Sequence, residues 1–233
     1  MHQKSEHRLG KEVAFMTENI TVFKHNSIRI GTEQGMVYVD PFEMTGEPRD
    51  GAFILITHDH YDHFSPEAIE KVANENTVLV VPEKMDAKAR KVAGIVGKIV
   101  TVRPNEKREI DGLQLETVPA YNILKPFHPK SAEWVGYIVN ANGKRVYVAG
   151  DTDLTKEAQE VKCDVALVPI GGMYTMDAKK AAELVNRLQP EVAIPVHYGA
   201  IIGSEKDGKE FEKLVEAPTR VELKIFGNHG KNG

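Results

Sequence analysis

The chain has 233 residues, of which 41% are hydrophobic and 27% are charged, a balance that is typical of a globular protein and excludes a largely disordered one. Lys and Arg number 30 and Asp and Glu number 34, so the net charge of −4 disfavours nucleic-acid binding, which needs a concentrated basic surface. The single cysteine, Cys163, excludes an intrachain disulfide and a multi-cysteine zinc site.

The start of the chain is polar and mixed in charge, without the apolar segment of a signal peptide. No stretch has the length of apolar sequence that a membrane span requires. Cys163 lies beside the apolar run 165–168, a setting typical of a buried structural thiol. These features predict a cytoplasmic protein. We expect one domain over residues 1–233, with residues 1–17 as a loosely ordered extension.

The first half of the chain is rich in strand signals, namely short β-branched or aromatic runs that are separated by turn residues. The continuous apolar run 53–56 is typical of a strand that is buried on both faces. Ser65 and Pro66 predict a helix start, with Ser65 as the cap and Pro66 in the first helical position. A second helix is expected over residues 84–92. The strands are expected over residues 20–23, 27–30, 36–39, 53–56, 78–81 and 99–102.

The second half of the chain repeats this style. Apolar side chains recur at helical spacing over residues 178–188 and again over residues 207–216, which predicts two amphipathic helices. A hairpin turn is expected at Asn142 and Gly143. The strands are expected over residues 113–118, 135–139, 146–149, 165–168, 192–196 and 221–226. Because strands and helices alternate without a linker, we predict an α/β fold of two mixed sheets packed face to face, with helices on the outer faces.

A dense cluster of metal-ligand residues follows the apolar run 53–56. It comprises His58, His60, Asp62 and His63. Side chains two apart in an extended segment point the same way, so His58 and His60 can reach one metal, while Asp62 and His63 can face a second. The alternative is a histidine-rich surface loop that binds nothing. The density of ligands directly after a buried strand favours the metal.

The spacing His-x-His-x-Asp-His resembles the signature of the metallo-β-lactamase-fold superfamily. Four more segments are similar to that family in the same order, namely residues 39–41, 149–152, 171–176 and 195–199. The segment 171–176 resembles the active-site loop of a subgroup of small hydrolases that includes sugar-phosphate lactonase-like and phospholipase D-like members. The resemblance extends from about residue 20 to residue 226. It implies a four-layer αββα sandwich and a site for two metals.

The resemblance also implies roles for residues outside the cluster. Asp151 would bridge both metals, and a carboxylate between two cations is reasonable because it offsets their repulsion. His197 would be the last histidine ligand, and Asp40 would orient a ligand histidine from behind. The alternatives are an ordinary turn aspartate for Asp151 and a buried core histidine for His197.

The sequence departs from the family pattern at Asn122, where the family has another histidine. An amide oxygen is a weaker zinc ligand than imidazole. His128, held between Pro126 and Pro129, is the nearest replacement, although ligation by Asn122 and a contact of His128 with the substrate both stay open. Tyr174 and Met176 either line the substrate pocket or pack beneath a loop. No role is assigned to the remaining histidines, which are His2, His7, His25 and His229.

The implied activity is hydrolysis of an ester, lactone or phosphodiester bond of a small molecule by a hydroxide that two divalent metal ions generate and hold. Zinc is the expected metal, whereas an oxygen-richer site containing Asn122 would favour manganese or iron. Asp62 is a ligand and a candidate proton acceptor. His128 and Tyr174 are candidates for contact with the leaving group.

Three other functions are weighed against this one. The oxygen-reducing diiron relatives carry an acidic residue in place of His60 and normally a flavin domain, which this chain lacks. Nucleic-acid hydrolysis would require an added RNA-binding domain or a basic surface. A non-catalytic or regulatory metal-binding protein of the same fold is the main alternative, and the departure at Asn122 leaves it open.

Overall fold

Two β-sheets form the centre of the computed structural model, which describes residues 17–225. The proposed N-terminal extension therefore lies outside the described residues, apart from Thr17, as does the end of the last predicted strand, at Phe226. The first sheet has the strand order β1-β2-β3-β4-β5-β6, antiparallel from β1 to β3 and parallel from β3 to β6. Its strands are β1 (Ile20–Val22), β2 (Ile28–Thr32), β3 (Gly35–Val39), β4 (Gly51–Leu55), β5 (Val78–Pro82) and β6 (Lys98–Val102).

The second sheet has the order β13-β12-β11-β10-β9-β8-β7, antiparallel from β7 to β10 and parallel from β10 to β13. The edge strand β7 is not predicted from the sequence, because its residues are exposed and polar except for Ile110. The predicted last strand is shortened to two residues. The strands are β7 (Lys107–Ile110), β8 (Leu113–Pro119), β9 (Val135–Ala141), β10 (Lys144–Val148), β11 (Val165–Pro169), β12 (Val192–Val196) and β13 (Arg220–Val221).

Four α-helices of about three turns or fewer lie in the described part of the chain, and the first begins at a side-chain cap. The Ser65 hydroxyl accepts a hydrogen bond from the Ala68 amide at 3.3 Å, which starts α1 (Pro66–Val72) as predicted. The helix expected over residues 84–92 is instead a short α2 (Asp86–Ala89) between the 3₁₀ turns Glu83–Met85 and Arg90–Val92. The last two helices are α3 (Ala178–Leu188) and α4 (Glu205–Leu214).

The helix α4 begins two residues earlier than the hydrophobic pattern indicates. Ser204 and Asp207 form a capping box, in which the Asp207 carboxylate accepts a hydrogen bond from the Ser204 amide. The caps thus fix the helix start independently of the apolar residues. Within residues 17–225, none of the helices has the length and apolar character needed to cross a membrane.

The apolar side chains form three cores, which together confirm the four-layer architecture. Alternate residues of one strand pack into two different cores. Phe53 and Leu55 of β4 pack between the two sheets, while Ile54 packs beneath α1 and α2. The same alternation in β11 sends Leu167 between the sheets and Val168 beneath α3. This is why β4 and β11 are apolar throughout.

The cysteine lies at the edge of the core beneath α3 and α4. Cys163 is half-buried, less than the sequence predicts, and burial raises the pKa of its thiol to about 12. A thiol that stays protonated at neutral pH is a weak nucleophile, which agrees with a structural role.

The sheets place the polar segments together at one edge. The strands β3, β4, β10 and β12 are followed by Asp40, by residues 57–63, by Asp151 and by His197, respectively. A hydrogen bond of 2.8 Å from the buried Tyr137 hydroxyl to the Ile56 carbonyl joins the two sheets at this edge. Carboxyl ends of parallel strands are where α/β folds usually place their functional sites.

Candidate metal centre

The loop between β4 and α1 is anchored by Asp40. The Thr57 amide and hydroxyl donate hydrogen bonds of 2.8 and 2.7 Å to the Asp40 carboxylate, which is fully buried. Gly150 has a φ of +64°, and a Cβ at this position would lie 3.1 Å from the Thr57 side chain. Glycine therefore allows the segment after β10 to approach the histidine loop closely.

The loop turns at His60, whose carbonyl accepts hydrogen bonds from the amides of His63 and Phe64. The turn separates His58 and His60 from Asp62 and His63. Together with side chains from other loops, these residues form three groups of candidate metal ligands. Within each group, the ligand atoms all lie within 4.8 Å of one another. The groups are His58, His60 and His128; His25, Asp62, His63 and His197; and His58, His63 and Asp151.

Asp151 lies between the histidines of both sides. Its Oδ1 is 3.4 Å from His63 Nε2. Its Oδ2 is 3.0 Å from His197 Nε2, 3.3 Å from His128 Nε2 and 4.0 Å from His58 Nε2. One buried carboxylate thus faces four imidazoles that come from three different loops.

Asp40 also fixes the orientation of His63. The His63 Nδ1 donates to Asp40 Oδ2 at 2.7 Å, and Asn26 donates to the same oxygen at 2.8 Å. With Nδ1 bound in this way, His63 Nε2 faces Asp151. A carboxylate behind a histidine fixes the tautomer that presents the other nitrogen as a ligand.

His128 lies in the cluster, and Asn122 lies behind it. The His128 Nδ1 and backbone amide donate to Asn122 Oδ1 at 3.0 and 3.2 Å, and the Asn122 amide nitrogen donates to the Tyr174 carbonyl at 2.8 Å. The amide oxygen of Asn122 is therefore directed at His128. The side chain that faces His58 and His60 from this loop is the imidazole of His128, which is almost fully buried.

The structure places His25, to which the sequence assigns no role, against the cluster. His25 is fully buried, its Nε2 donates to Asp62 Oδ2 at 3.0 Å, and its ring centroid lies 3.7 Å from that of His197. The His197 amide also donates to the His25 carbonyl at 2.9 Å. A histidine in a short hairpin turn gives no local sign of burial, because the segments that cover it, around Phe42, His63 and His197, are distant in sequence. The other three unassigned histidines, at 2, 7 and 229, lie outside the described residues.

Three aromatic or apolar residues near the centre have different positions. Trp134 lies with its ring centroid 5.0 Å from those of His58 and His60 and is not predicted from the sequence, in which its only signal is a lone tryptophan directly before a strand. Tyr174 is half-buried and lines the cleft above the cluster. Met176, in contrast, is fully buried in the core beneath α3 and does not line the cleft.

Burial and neighbouring charges favour the deprotonated form of four candidate ligands. Burial lowers the pKa of His58 well below its usual value and also lowers the pKa of His60. Burial alone would raise the pKa of Asp151, but His197 and His63 hold it well below its ordinary value. Burial alone would also raise the pKa of Asp62, but the hydrogen bond from His25 and the charge of His63 together lower it to about 2.

His63 behaves differently, because it faces three carboxylates. Burial alone would lower its pKa, but Asp151 and Asp40, followed by Asp62, raise it to about 9. A cation at this position would replace the proton of His63, since metal ligands must be deprotonated.

Several buried side-chain nitrogen and oxygen atoms at the centre of the cluster lack a hydrogen-bond partner. Among residues 17–225 these include Nε2 of His63, His128 and His197, and Oδ1 of Asp151. Buried polar atoms are normally satisfied, so a convergence of unsatisfied imidazole nitrogens on a carboxylate fits a bound divalent cation. The residues present are thus suited to hold metal.

Comparison with known proteins agrees with this geometry. The family model described as the Beta-lactamase superfamily domain matches residues 19–197. The chain is 31% identical over 213 residues to a UPF0173 metal-dependent hydrolase of Methanopyrus kandleri, which covers 84% of this chain and 91% of the relative.

Two solved structures are similar over nearly the whole chain. A metal-dependent hydrolase from Parabacteroides distasonis has a TM-score of 0.75 and 30% identity, over 88% of this chain and 92% of the other. The metallo hydrolase Igni18 from Ignicoccus hospitalis has a TM-score of 0.72 and 26% identity, over 88% and 93%. The chain therefore belongs to the β-lactamase superfamily and is a metal-dependent hydrolase of the metallo-β-lactamase fold.

Proposed function

We propose that the protein is a dinuclear hydrolase that cleaves an ester, lactone or phosphodiester bond of a small molecule. The observation that carries this proposal is the arrangement of donors on two sides of Asp151. Two separate groups of three or more ligands, with a carboxylate between them, can hold two cations, whereas one cation would need only one group.

The donor geometry supports one assignment of ligands. His58, His60 and His128 would hold the first ion, Asp62, His63 and His197 would hold the second, and Asp151 would be shared. His128 would thus take the place of the histidine that is missing at Asn122, and Asn122 would orient it. A site with three imidazoles and one carboxylate favours zinc over manganese or iron.

When bound, two divalent ions supply a water of lowered pKa and an electrophile for the developing oxyanion. The residues of the chain hold and orient the reacting groups. The pKa of about 2 favours Asp62 as a ligand over a role as proton acceptor, because so acidic a carboxylate is a weak base at neutral pH. Tyr174 lines the cleft and would contact the leaving group.

The test is metal content together with turnover. Protein that is expressed with added zinc should contain close to two ions per chain by elemental analysis, and it should hydrolyse a member of a panel of simple esters, lactones and phosphodiesters. Protein without metal after such expression would contradict the proposal. Two bound ions without turnover on any class would instead favour the non-catalytic metal-binding alternative.

The contact of His25 with Asp62 gives a separate prediction. His25→Ala should weaken binding of the second ion by about 10–100-fold, because partners behind a ligand typically contribute that much to metal affinity. The affinity can be followed by isothermal titration calorimetry with zinc, in which the two ions give separate binding steps. His25→Gln keeps a donor for Asp62 and should recover part of the loss. Wild-type zinc affinity in His25→Ala would show that the contact is incidental.

A further inference from the structure

Large apolar side chains are exposed on the loops that line the metal centre. Leu124 is 95% exposed, Tyr61 68%, Met173 60% and Ile123 58%, and Phe127 and Ile201 are also exposed. Among the described residues, the one other exposed side chain of this kind is Leu214 on α4. Single exposed apolar residues are common, but their concentration at one place indicates a binding surface. We call these six residues the apolar rim.

The apolar rim is continuous with the cleft above the metal centre. Tyr61, Phe127, Tyr174 and Ile201 line this cleft, with His128 and Asp151 among the residues of the candidate centre that line it. The cleft has a volume of about 260 Å³, somewhat below the roughly 300–1,000 Å³ of sites that enclose a drug-sized ligand. It can therefore enclose the reacting part of a substrate, while the rest must lie outward on Ile123, Leu124 and Met173.

Two of the four loops that carry the apolar rim are fixed to each other. Lys125 Nζ donates to Asp153 Oδ1 at 2.7 Å and to the Gly172 carbonyl at 3.1 Å, which ties the loop of Leu124 to the loop of Met173. The rings of Phe127 and Tyr174 are also in edge contact, with centroids 4.7 Å apart. A surface that is ordered before binding loses less entropy when a ligand binds.

Apart from the metal ions that the centre would hold, the cleft, within residues 17–225, offers no cationic side chain to the part of a substrate that lies outside the centre. None of the described residues that line it is Lys or Arg. Lys125 is already bound to Asp153, and Lys88 donates to the carbonyl of Asp59. Phosphate and sulfate groups are usually held by charge-assisted donors of these residues. This combination disfavours sugar phosphates and nucleotides and favours an uncharged substrate.

We infer that the substrate is an uncharged carboxylic ester or lactone with an apolar acyl chain. The scissile carbonyl lies at the metal centre and the acyl chain lies on the apolar rim. In the reaction, the oxygen of water forms a bond to the carbonyl carbon, the acyl C–O bond breaks, the leaving oxygen takes up a proton, and a carboxylate and a proton are released. This inference rests on the proposed hydrolytic function.

The first test is the dependence of kcat/KM on chain length. With the zinc-loaded full-length protein and p-nitrophenyl esters from acetate to octanoate, kcat/KM should rise about twofold to fourfold for each added methylene, as expected for burial of a methylene. The double variant Leu124→Ser, Met173→Ser should flatten this slope. The matched control Leu214→Ser removes an exposed apolar residue outside the apolar rim and should leave the slope unchanged. A flat slope in the wild type overturns the inference.

The second test does not require turnover. Quenching of Trp134 fluorescence by linear carboxylates from acetate to octanoate reports product binding, and the affinity should rise with chain length in the wild type and less in the double variant. If no ester is hydrolysed but the carboxylate affinity still rises with chain length, the proposed function fails, while the apolar rim remains a binding site for acyl chains. Hydrolysis with chain-independent binding overturns the inference alone.

Two further outcomes would also overturn the inference. One is faster turnover of a sugar phosphate or nucleotide than of the octanoyl ester. The other is chain-independent kinetics together with binding to phosphatidylcholine vesicles that the double variant abolishes, which would assign the apolar rim to a lipid surface.

Discussion

Asp151→Ala is expected to abolish hydrolysis and to release both metal ions. The carboxylate of Asp151 lies within 4.0 Å of imidazole nitrogens on both sides of the cluster, so its removal deprives both sites of a ligand and leaves two cations without the anion that offsets their repulsion. The loss in kcat should exceed about 100-fold. Removing a residue that only hydrogen-bonds to a metal ligand costs up to about that much, and Asp151 would be a ligand itself. Elemental analysis and ester turnover measure the two effects.

The control for this variant is Asp59→Ala. Asp59 is in the same histidine loop, but its carboxylate lies 3.7 Å from Lys88 and outside the donor groups, so both ions should remain. His58→Ala should mainly empty the first site and leave about one ion per chain. If Asp151→Ala kept both ions, the proposed shared position of this carboxylate would be wrong.

His128→Ala is expected to remove the ion of the first site and to reduce kcat by more than about 100-fold. His128 is the buried imidazole that lies with His58 and His60, and the amide oxygen of Asn122 is occupied in orienting it. Asn122→Ala should therefore have the smaller effect, a loss of about 10–100-fold in zinc affinity. Zinc titration of Trp134 fluorescence, with elemental analysis, separates the two variants.

Lys130→Ala is the matched control, because Lys130 is exposed two residues further along the same loop and pairs with Glu157. It should change neither metal content nor turnover. A fall in turnover with both ions retained in His128→Ala would assign this histidine to the substrate instead of the metal. Wild-type turnover and metal content would show that His128 has no part in the site.

The fold could be predicted because its determinants are local and repeated. Continuous apolar runs predict the parallel strands, since each of these strands is covered by the second sheet on one face and by helices on the other. The pattern misses β7, whose polar residues contribute main-chain hydrogen bonds to an edge and little apolar surface to a core. It also misplaces the start of α4, because the cap at Ser204 precedes the apolar residues.

The candidate site was partly predictable for a similar reason. His58, His60, Asp62 and His63 are close in sequence, and the spacing of these ligand types is by itself typical of a metal site. Asp151 and His197 follow apolar runs, so their placement at the same edge depends only on the parallel order of the strands. No such local pattern marks Trp134 or the fully buried Met176, whose surroundings are set by distant segments.

The sequence by itself determined the two-sheet fold and the presence of a histidine and aspartate centre, because strand alternation, capping and ligand spacing act over a few residues. Only the tertiary structure decided which nitrogen faces which oxygen. It directs the Asn122 amide toward His128, buries the turn of His25 against His197, and gathers apolar side chains of four loops around one cleft. These contacts join segments far apart in the chain, so no short stretch of sequence encodes them, and they arise only when both sheets pack together.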